Sequence, residues 1–456
     1  MAMGLICRTA EKDGLSQAAI IQVLEQSLEN GGVIEASFNS FATYGASIPL
    51  SKGVAKACNN SFIRGIRSNT ASKVLLIPPD TTRAHSYAGE ITAMYYKMLT
   101  QAGVHVDILP ALGTHAPLSR AEQLDFFGDI PSERFRTHRW RDGVTSIGKI
   151  PAAATCQISQ GIMDKDIPVE VSDYILDPSY DIIISIGQVV PHEVVGMANY
   201  TKNIVVGCGG SEFINASHML GAAYGIERTM GQINTPVRRL FDYAETHFLS
   251  ELPFIYVLTV TETVEENTIV KGLFIGSGPN RRKAFEEAAR LSQECNIIYV
   301  DKPLETCVVY LNAKEFHSLW LGNKAIYRTR MAMADGGRLI VCAPGVKAFA
   351  EDPVNDRLIR KYGYTGRDNI LHMCKTDKEL QANLSAAAHL IHGSPDGRFE
   401  VVYAAPLLGE EAIKNVGYKY MELEEAMGLY DQCRNTDVYA ISNPALGLWS
   451  ARRFIC

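Results

Sequence analysis

Short apolar runs alternate along the chain with stretches of helical hydrophobic spacing. Residues 73–77 (KVLLI), 104–112 (VHVDILPAL) and 181–190 (DIIISIGQVV) have the length and composition of buried strands. Between the first two runs, apolar residues recur at helical spacing: Tyr87, Ile91, Met94, Tyr95 and Met98. This helix is predicted to end at Gly103. The order strand, helix, strand predicts a parallel sheet with helical crossovers.

A second series of strands and helices occupies the C-terminal part. Residues 257–276 predict a hairpin with a Glu-Asn turn, and a helical pattern begins at about Arg282. Four more strands are predicted at 296–300, 307–311, 338–344 and 399–406. We therefore expect two α/β domains with largely parallel sheets, residues 1–275 and 276–406, with the active site in the cleft between them. Residues 407–456 are expected to form a helical tail that packs back on the domains.

Composition narrows the class of protein. The 456 residues are 46% hydrophobic and 21% charged, with a net charge of −6, which does not suggest a nucleic-acid partner. No apolar run reaches the roughly 18 residues that a membrane span needs. The N-terminus MAMGLICRTAEKDGLS lacks the pattern of a signal peptide, and the ten cysteines include no C-x-x-C pair. A cytoplasmic protein with reduced thiols is expected.

Three predicted strand ends carry polar residues suited to chemistry. Asp80 and Arg83 follow the first strand, His115 follows the second, and His192 follows the third. Ligands of open parallel sheets bind at the carboxyl ends of the strands, so these groups are expected to converge. They would supply two acid/base groups and a cation for a carboxylate. A role of Asp80 as a helix cap stays open, as does a structural role for each histidine.

The remaining histidines show no such convergence. We expect eight of them to be structural or solvated: His85, His105, His138, His247, His317, His372, His389 and His392.

Lys202 and His218 are further candidate functional residues. Lys202 lies among apolar and small residues, where a lowered pKa would make it a nucleophile, but the pattern favours a lysine that reaches the surface. His218, 16 residues further on, is a candidate metal ligand. Lys324 is a candidate second cation, although a lysine on a helix is usually solvated. The segment GSGPNRR at 276–282 only weakly resembles a phosphate-binding loop.

The order and spacing of these short motifs are more specific than any one motif alone. DTTR stands at 80–83, GTH at 113–115 and PH at 191–192, with a lysine ten residues after the PH histidine and a histidine 16 residues beyond that lysine. In this combination the chain resembles the nickel-dependent lactate racemase family, whose members interconvert stereoisomers of 2-hydroxy acids. The resemblance spans roughly residues 70 to 345.

The resemblance implies a nickel-pincer nucleotide, a pyridinium mononucleotide joined to an enzyme lysine as a thioamide. Matched by position, Lys202 would tether the cofactor, His218 would ligate nickel, and Asp80 would orient nearby basic groups. The two acid/base histidines would be His115 and His192. The implied mechanism transfers hydride from C2 of the substrate to the cofactor and back, which avoids a carbanion next to a carboxylate.

The substrate pocket departs from the family pattern. Arg83 and Lys324 would hold the substrate carboxylate, but Trp320 and Leu321 stand where lactate-specific members carry Tyr and Gln. The pocket wall is therefore more apolar. We expect a 2-hydroxy acid larger than lactate, such as an aromatic, dicarboxylic or sugar acid, with lactate itself as the alternative.

Other functions remain open at this stage. A hydrolase or lyase with a histidine-bound metal would explain the histidines and leave Lys202 without a role. A non-catalytic nucleotide-binding or cofactor-carrier protein would need neither His115 nor His192. No G-x-G-x-x-G follows a strand, which disfavours an NAD dehydrogenase. The racemase hypothesis implies cofactor maturation proteins as partners, and the sequence is compatible with a homo-oligomer.

Overall fold

The computed structural model describes residues 5–10, 13–30, 71–264, 267–433 and 438–451. Its strands are β1 Ile6–Thr9, β2 Lys73–Ile77, β3 His105–Ile108, β4 Val144–Ile150, β5 Ile167–Ser172, β6 Ile182–Gln188, β7 Pro191–His192, β8 Gly196–Met197, β9 Phe254–Val264, β10 Asn267–Ser277, β11 Ile297–Tyr299, β12 Leu304–Tyr310, β13 Met333–Cys342, β14 Glu400–Ala404, β15 Lys419–Tyr420, β16 Val438–Ile441 and β17 Leu448–Ser450.

The α-helices lie between these strands. They are α1 Gln17–Asn30, α2 Ala88–Gln101, α3 Arg120–Phe127, α4 Ala152–Ser159, α5 Thr201–Val205, α6 Ser211–Tyr224, α7 Ile226–Thr229, α8 Pro236–Ala244, α9 Arg281–Asn296, α10 Leu319–Gly322, α11 Lys324–Thr329, α12 Pro353–Tyr362, α13 Arg367–Thr376, α14 Lys378–Gln381, α15 Leu384–Gly393, α16 Glu410–Asn415 and α17 Leu423–Gln432. None of the helices in these described segments is long and apolar enough to cross a membrane.

A six-stranded sheet organises the N-terminal part, in the order β1-β10-β9-β6-β2-β3. Its strands β3, β2, β6 and β9 are parallel, and β10 alone runs antiparallel to its neighbours. Alternate residues of β2 face opposite sides, as the pleat requires. Val74 and Leu76 pack with α1 and α2, whereas Leu75 and Ile77 pack with α6, α8 and α9. The sheet is therefore covered by helices on both faces.

The predicted hairpin is the β9–β10 pair, whose register joins Val264 to Asn267. The Glu266 position of its predicted turn lies outside the described residues. Helix α9 begins at Arg281 and packs on β9 and β10. The first turn and helix after residue 276 therefore remain attached to the six-stranded sheet.

A second sheet, of five parallel strands, has the order β15-β14-β13-β12-β16. Helices α10 to α15 contribute to the core on one face, and α17 packs on the other through Ala426. The prediction of an α/β fold with largely parallel sheets is confirmed. The two parts contact each other where α6 packs against α15.

The segment after residue 407, for which a helical tail was expected, contains strands as well as helices. Its strands β15 and β16 form the two edges of the five-stranded sheet, and β17 pairs with β11. The sequence signal was weak because these strands span only two to four residues, too few for alternation to show. Pairing with β14 and β12 fixes their conformation instead.

Candidate active site

The carboxyl ends of β2 and β3 bring Asp80 and His115 together. His115 Nδ1 lies 2.5 Å from Asp80 Oδ2, and the other carboxylate oxygen accepts hydrogen bonds from Thr82 N and Thr82 Oγ1 at 3.2 and 2.5 Å. Asp80 therefore caps the 3₁₀ turn Thr81–Ser86, as the cap hypothesis proposed, and also orients the histidine. With its Nδ1 proton donated to Asp80, the His115 ring presents Nε2 as an acceptor.

Asp80 remains a carboxylate in this setting. Burial acts to raise the pKa of Asp80, but the hydrogen bonds from His115 and Thr82 and the charge of Arg83 lower it overall. The His115 side chain is 59% exposed, so its free nitrogen is open to a ligand, whereas that of Asp80 is only 7% exposed. The pair consists of a buried anion and an accessible imidazole.

His192 is held in the opposite tautomer. It lies in the short β7–β8 hairpin, and its Nδ1 accepts a hydrogen bond from Val194 N at 3.1 Å. The neutral ring consequently carries its proton on Nε2. Burial lowers the pKa of His192 well below its ordinary value; the charges of Lys202 and Arg83 add to this, while Glu193 opposes it.

A strained turn positions Lys202. Asn199 and Tyr200 have φ angles of 64° and 60°, a conformation that costs free energy in residues other than glycine. Arg238 stabilises the turn by donating hydrogen bonds to the carbonyls of Met197 and Asn199. Helix α5 begins immediately after this turn and carries Lys202 on its first turn.

Helix α5 is fixed across the strand ends by Asn203, whose amide donates to Ile77 O and Ser185 Oγ at 3.0 Å each. The Lys202 ammonium makes no hydrogen bond or ion pair with any described residue. Burial lowers the pKa of Lys202 to about 8, with a further contribution from Arg83. This is a lysine with a sizeable neutral, nucleophilic fraction near neutral pH.

His218 lies on α6, and its Nδ1 donates to Ile214 O at 2.7 Å. That hydrogen bond leaves Nε2 as the lone-pair nitrogen, the arrangement common for metal-bound histidines. Burial lowers its pKa, which favours the neutral ring that a metal requires. No cluster of three or more His, Cys, Asp or Glu side chains in the described residues could hold a metal by itself. A metal on His218 would need its other donors from a bound group.

The Glu193 carboxylate interacts electrostatically with four cations at this site: Arg83, Lys202, Lys324 and Arg328. None of their side chains forms a hydrogen bond or an ion pair with a described residue. Burial acts to raise the pKa of Glu193, but the electrostatic effects of His192 and Arg328 hold it well below its usual range. The Glu193 carboxylate lies 3.8 Å from His192 Nδ1. Burial and Arg83 lower the pKa of Lys324 to about 8. The excess of positive charge favours an anionic ligand.

Sequence reasoning missed Glu193 and Arg328. Glu193 directly follows His192 in the PHEVV segment, and Arg328 stands four residues after Lys324, on the same face of α11. His389 was expected to be structural. Its ring nitrogens contact the hydroxyls of Tyr327 and Tyr364 at 2.8 and 2.9 Å. The spacing to Lys324 was the only signal available for Arg328.

Trp320 and Leu321 lie on α10, the short helix that precedes Lys324. The Trp320 indole stacks on the His389 ring, with centroids 4.1 Å apart and planes 11° apart. Leu321 is half-buried and packs against the core of the C-terminal part.

The segment 276–282, which weakly resembles a phosphate-binding loop, has structural contacts instead: its Arg281 donates to Glu245 and to Leu252 O.

A family model matches the part of the chain that carries most of these site residues. Residues 54–229 match the model of the lactate racemase N-terminal domain. The N-terminal part of the chain is therefore homologous to the lactate racemase family. The matched segment includes the positions of Asp80, His115, His192, Lys202 and His218, whereas Lys324 lies beyond it. A search of curated proteins found no significant match.

Solved structures share the fold of the chain. A Thermotoga maritima protein from a structural genomics programme aligns with a TM-score of 0.77 and 24% identity, covering 96% of this chain and 99% of that chain. The lactate racemase apoprotein of Thermoanaerobacterium thermosaccharolyticum aligns with a TM-score of 0.65 and 16% identity, covering 94% and 92%. These alignments extend the fold similarity to nearly the whole chain.

Proposed function

We propose that this racemase-family homologue inverts C2 of a 2-hydroxy acid with the help of a nickel-pincer nucleotide. The observation that carries the proposal is the environment of Lys202, an unpaired lysine with a pKa of about 8 beside the charges of Arg83 and Glu193. Such an amine suits covalent attachment of a cofactor. A hydrolase gives this lysine no role, and a non-catalytic cofactor carrier would need neither His115 nor His192.

The residues present fit this cofactor. Lys202 would supply the amine for the thioamide link, and His218 would offer Nε2 to nickel, since Nδ1 is committed to Ile214 O. The sulfur atoms of the cofactor and this imidazole would together offer donors that suit nickel(II). When bound, the cofactor supplies a hydride acceptor and donor.

The cations on the opposite side of the site would hold the substrate. Arg83 and Lys324 would bind the C1 carboxylate, with the planar guanidinium of Arg83 fixing its orientation. Their charges affect each other, because Arg83 lowers the pKa of Lys324. Trp320 and Leu321 would form the apolar wall next to this carboxylate site, which supports a substrate larger than lactate.

The two histidines would exchange the hydroxyl proton. In the tautomers that the structure holds, His115 offers an acceptor at Nε2 and His192 a donor at Nε2. One histidine would remove the proton from the substrate hydroxyl, and the other would return a proton after the configuration at C2 has been inverted. Asp80 stabilises the imidazolium that His115 forms in its turn as base.

The remaining parts of the proposal follow from the cofactor. Its assembly would require maturation proteins, and a cytoplasmic location would give access to them. The catalytic site would lie in the cleft between the domains at 1–275 and 276–406, because Glu193 and Arg328 belong to different parts of the chain and affect each other's pKa. A homo-oligomer is compatible with this arrangement.

The test is intact-protein mass with nickel analysis after production alongside the cofactor-building proteins. We expect a mass increment localised to Lys202, about one nickel per chain, and equilibration of the two enantiomers of a 2-hydroxy acid. Lys202→Ala should lose the increment, and Lys302→Ala, a change at an exposed lysine, should retain it. Racemisation by Lys202→Ala, or an unmodified wild-type chain where a known relative is matured, would refute the proposal.

A further inference from the structure

Arg328 is buried without a partner. It lies on α11, its exposed fraction is 5%, and its guanidinium makes no hydrogen bond or ion pair with any described residue. A desolvated guanidinium costs free energy unless an anion lies against it. Other buried arginines of this chain have partners, since Arg330 pairs with Glu227, Arg281 pairs with Glu245, and Arg238 donates to two backbone carbonyls. Arg328 therefore differs from the structural arginines.

The nearest negative charge does not complete the site. Glu193 acts on Arg328 electrostatically, but no hydrogen bond or ion pair joins the two side chains. Burial lowers the pKa of Arg328 to about 10, so the side chain remains a cation at neutral pH. An anion that enters the site would find a charged donor with five N–H groups still available.

The charges that reach Arg328 locate it near the substrate end of the site. Arg328 is affected by Glu193 and Arg83, and it acts in turn on Lys324. Glu193 and Arg83 also act on Lys202, together with Arg238 and Asp80, but Arg328 is among the charges that act on Lys324 and is not among those that act on Lys202. Arg328 therefore belongs with the carboxylate-binding cations more than with the lysine that would carry the cofactor.

We propose that Arg328 binds a second acidic group of the substrate, so that the protein acts on a 2-hydroxy dicarboxylic acid. This inference rests on the proposed function, because it assigns the C1 carboxylate to Arg83 and Lys324. Lys324 and Arg328 are one helical turn apart on α11, roughly 5–6 Å between Cβ atoms, a spacing that suits the two ends of a short dicarboxylate.

Charge balance supports the same substrate class. A dicarboxylate offers Arg328 an anionic partner that a monocarboxylate held by Arg83 and Lys324 does not. An aromatic acid would leave Arg328 unpaired, and the hydroxyls of a sugar acid would not neutralise it. Leu321, on the same side of the segment, provides no hydrogen bond to a hydroxyl-rich chain.

The test compares the binding of malate (2-hydroxybutanedioate) and lactate to the unloaded protein by calorimetry, then their racemisation by the nickel-loaded enzyme. We expect the wild type to favour malate in both assays. Arg328→Gln should reduce the malate-to-lactate preference roughly 30-fold, the cost of removing one partner of a desolvated charge pair. Arg338→Gln, the same change at an exposed arginine, should leave the preference unchanged.

Stability and cofactor content separate the possible roles of Arg328. Because an unpaired buried cation is removed, Arg328→Gln should melt at the wild-type temperature or above it, whereas loss of a structural arginine would lower the melting temperature. If Arg328→Gln does not fold, Arg328→Lys decides, since it retains the charge without the bidentate fork and should still reduce the preference.

Three outcomes would overturn the inference: a wild type without preference for malate, an unchanged preference in Arg328→Gln, or loss of the Lys202 mass increment in that variant, which would assign Arg328 to the cofactor phosphate. Failure of the proposed function looks different. The wild type would then carry no Lys202 increment and racemise neither acid, and malate binding to the unloaded protein would still decide whether Arg328 is a dicarboxylate site.

Discussion

His115 donates its Nδ1 proton to the buried carboxylate of Asp80 at 2.5 Å, while on the other side of the site His192 receives a backbone N–H at the same ring position. The two imidazoles therefore present opposite properties at Nε2, an acceptor on His115 and a donor on His192. A reaction that inverts a carbinol centre requires both.

Asp80→Asn tests this orientation. Asparagine caps a helical turn as well as aspartate does, so the fold should persist. The amide cannot stabilise an imidazolium and permits the wrong tautomer, so racemisation should fall by about 10²- to 10⁴-fold. Rates on nickel-loaded protein and the mass increment at Lys202 would be measured together. A rate within about threefold of wild type would contradict the role of Asp80, and Asp125→Asn, at an exposed aspartate, serves as the control.

Lys202 should titrate near pH 8 in the unloaded protein, because burial and Arg83 disfavour its charged form. Competitive acetylation across pH 6 to 11, read by peptide mass, would give its pKa against the exposed lysines, whose ordinary value is about 10.4. Arg83→Gln should raise the pKa of Lys202, and Glu193→Gln should lower it further. An ordinary lysine pKa in the wild type would remove the main support for covalent attachment.

Glu193→Gln should destabilise the fold and reduce its acid sensitivity. The pKa of Glu193 is held below its ordinary value, so its contribution to the free energy of unfolding is present above about pH 4.3 and is lost as the pH falls further. At pH 7 the variant should lose about 1–3 kcal/mol, since cations such as Arg328 lose their nearest anion. Urea unfolding at pH 7 and pH 3.5 measures both effects, and equal pH dependence in the two proteins would contradict this role.

The predictable part of the fold was the part with long apolar runs. Strands β2 and β6 follow from their composition. The short edge strands after residue 407 were not predictable, because pairing with β12 and β14 determines them. Tertiary contacts override local preference there.

The candidate site likewise contains residues that the sequence predicts and residues that it does not. Asp80 and His115 were identified because they end adjacent parallel strands, a relationship that sequence order reveals. Glu193 and Arg328 were missed because their significance depends on burial and on the partners around them. Whether a lysine such as Lys202 is solvated or desolvated is likewise decided by neighbours that are distant in sequence, here Arg83 and Glu193.

His392 and His389 provide a matched pair for the last prediction. Both lie buried on α15, and burial lowers their pKa values to about 4 and about 3. Their neighbours differ. Among the described residues neither ring nitrogen of His392 has a hydrogen-bond partner, whereas both nitrogens of His389 contact tyrosine hydroxyls.

His392→Leu should therefore flatten the dependence of stability on pH. A histidine held neutral stabilises the fold above its unfolded pKa of about 6.5, and this contribution is lost as the pH falls towards 4, by up to about 3 kcal/mol. The variant should match or exceed wild-type stability at pH 5, because no hydrogen bond is lost. His389→Leu should cost about 1–3 kcal/mol at pH 7 instead, because it leaves the hydroxyls of Tyr327 and Tyr364 unpaired. Urea midpoints at pH 5 and 7 distinguish the two, and equal losses at pH 7 would show that His392 has a partner after all.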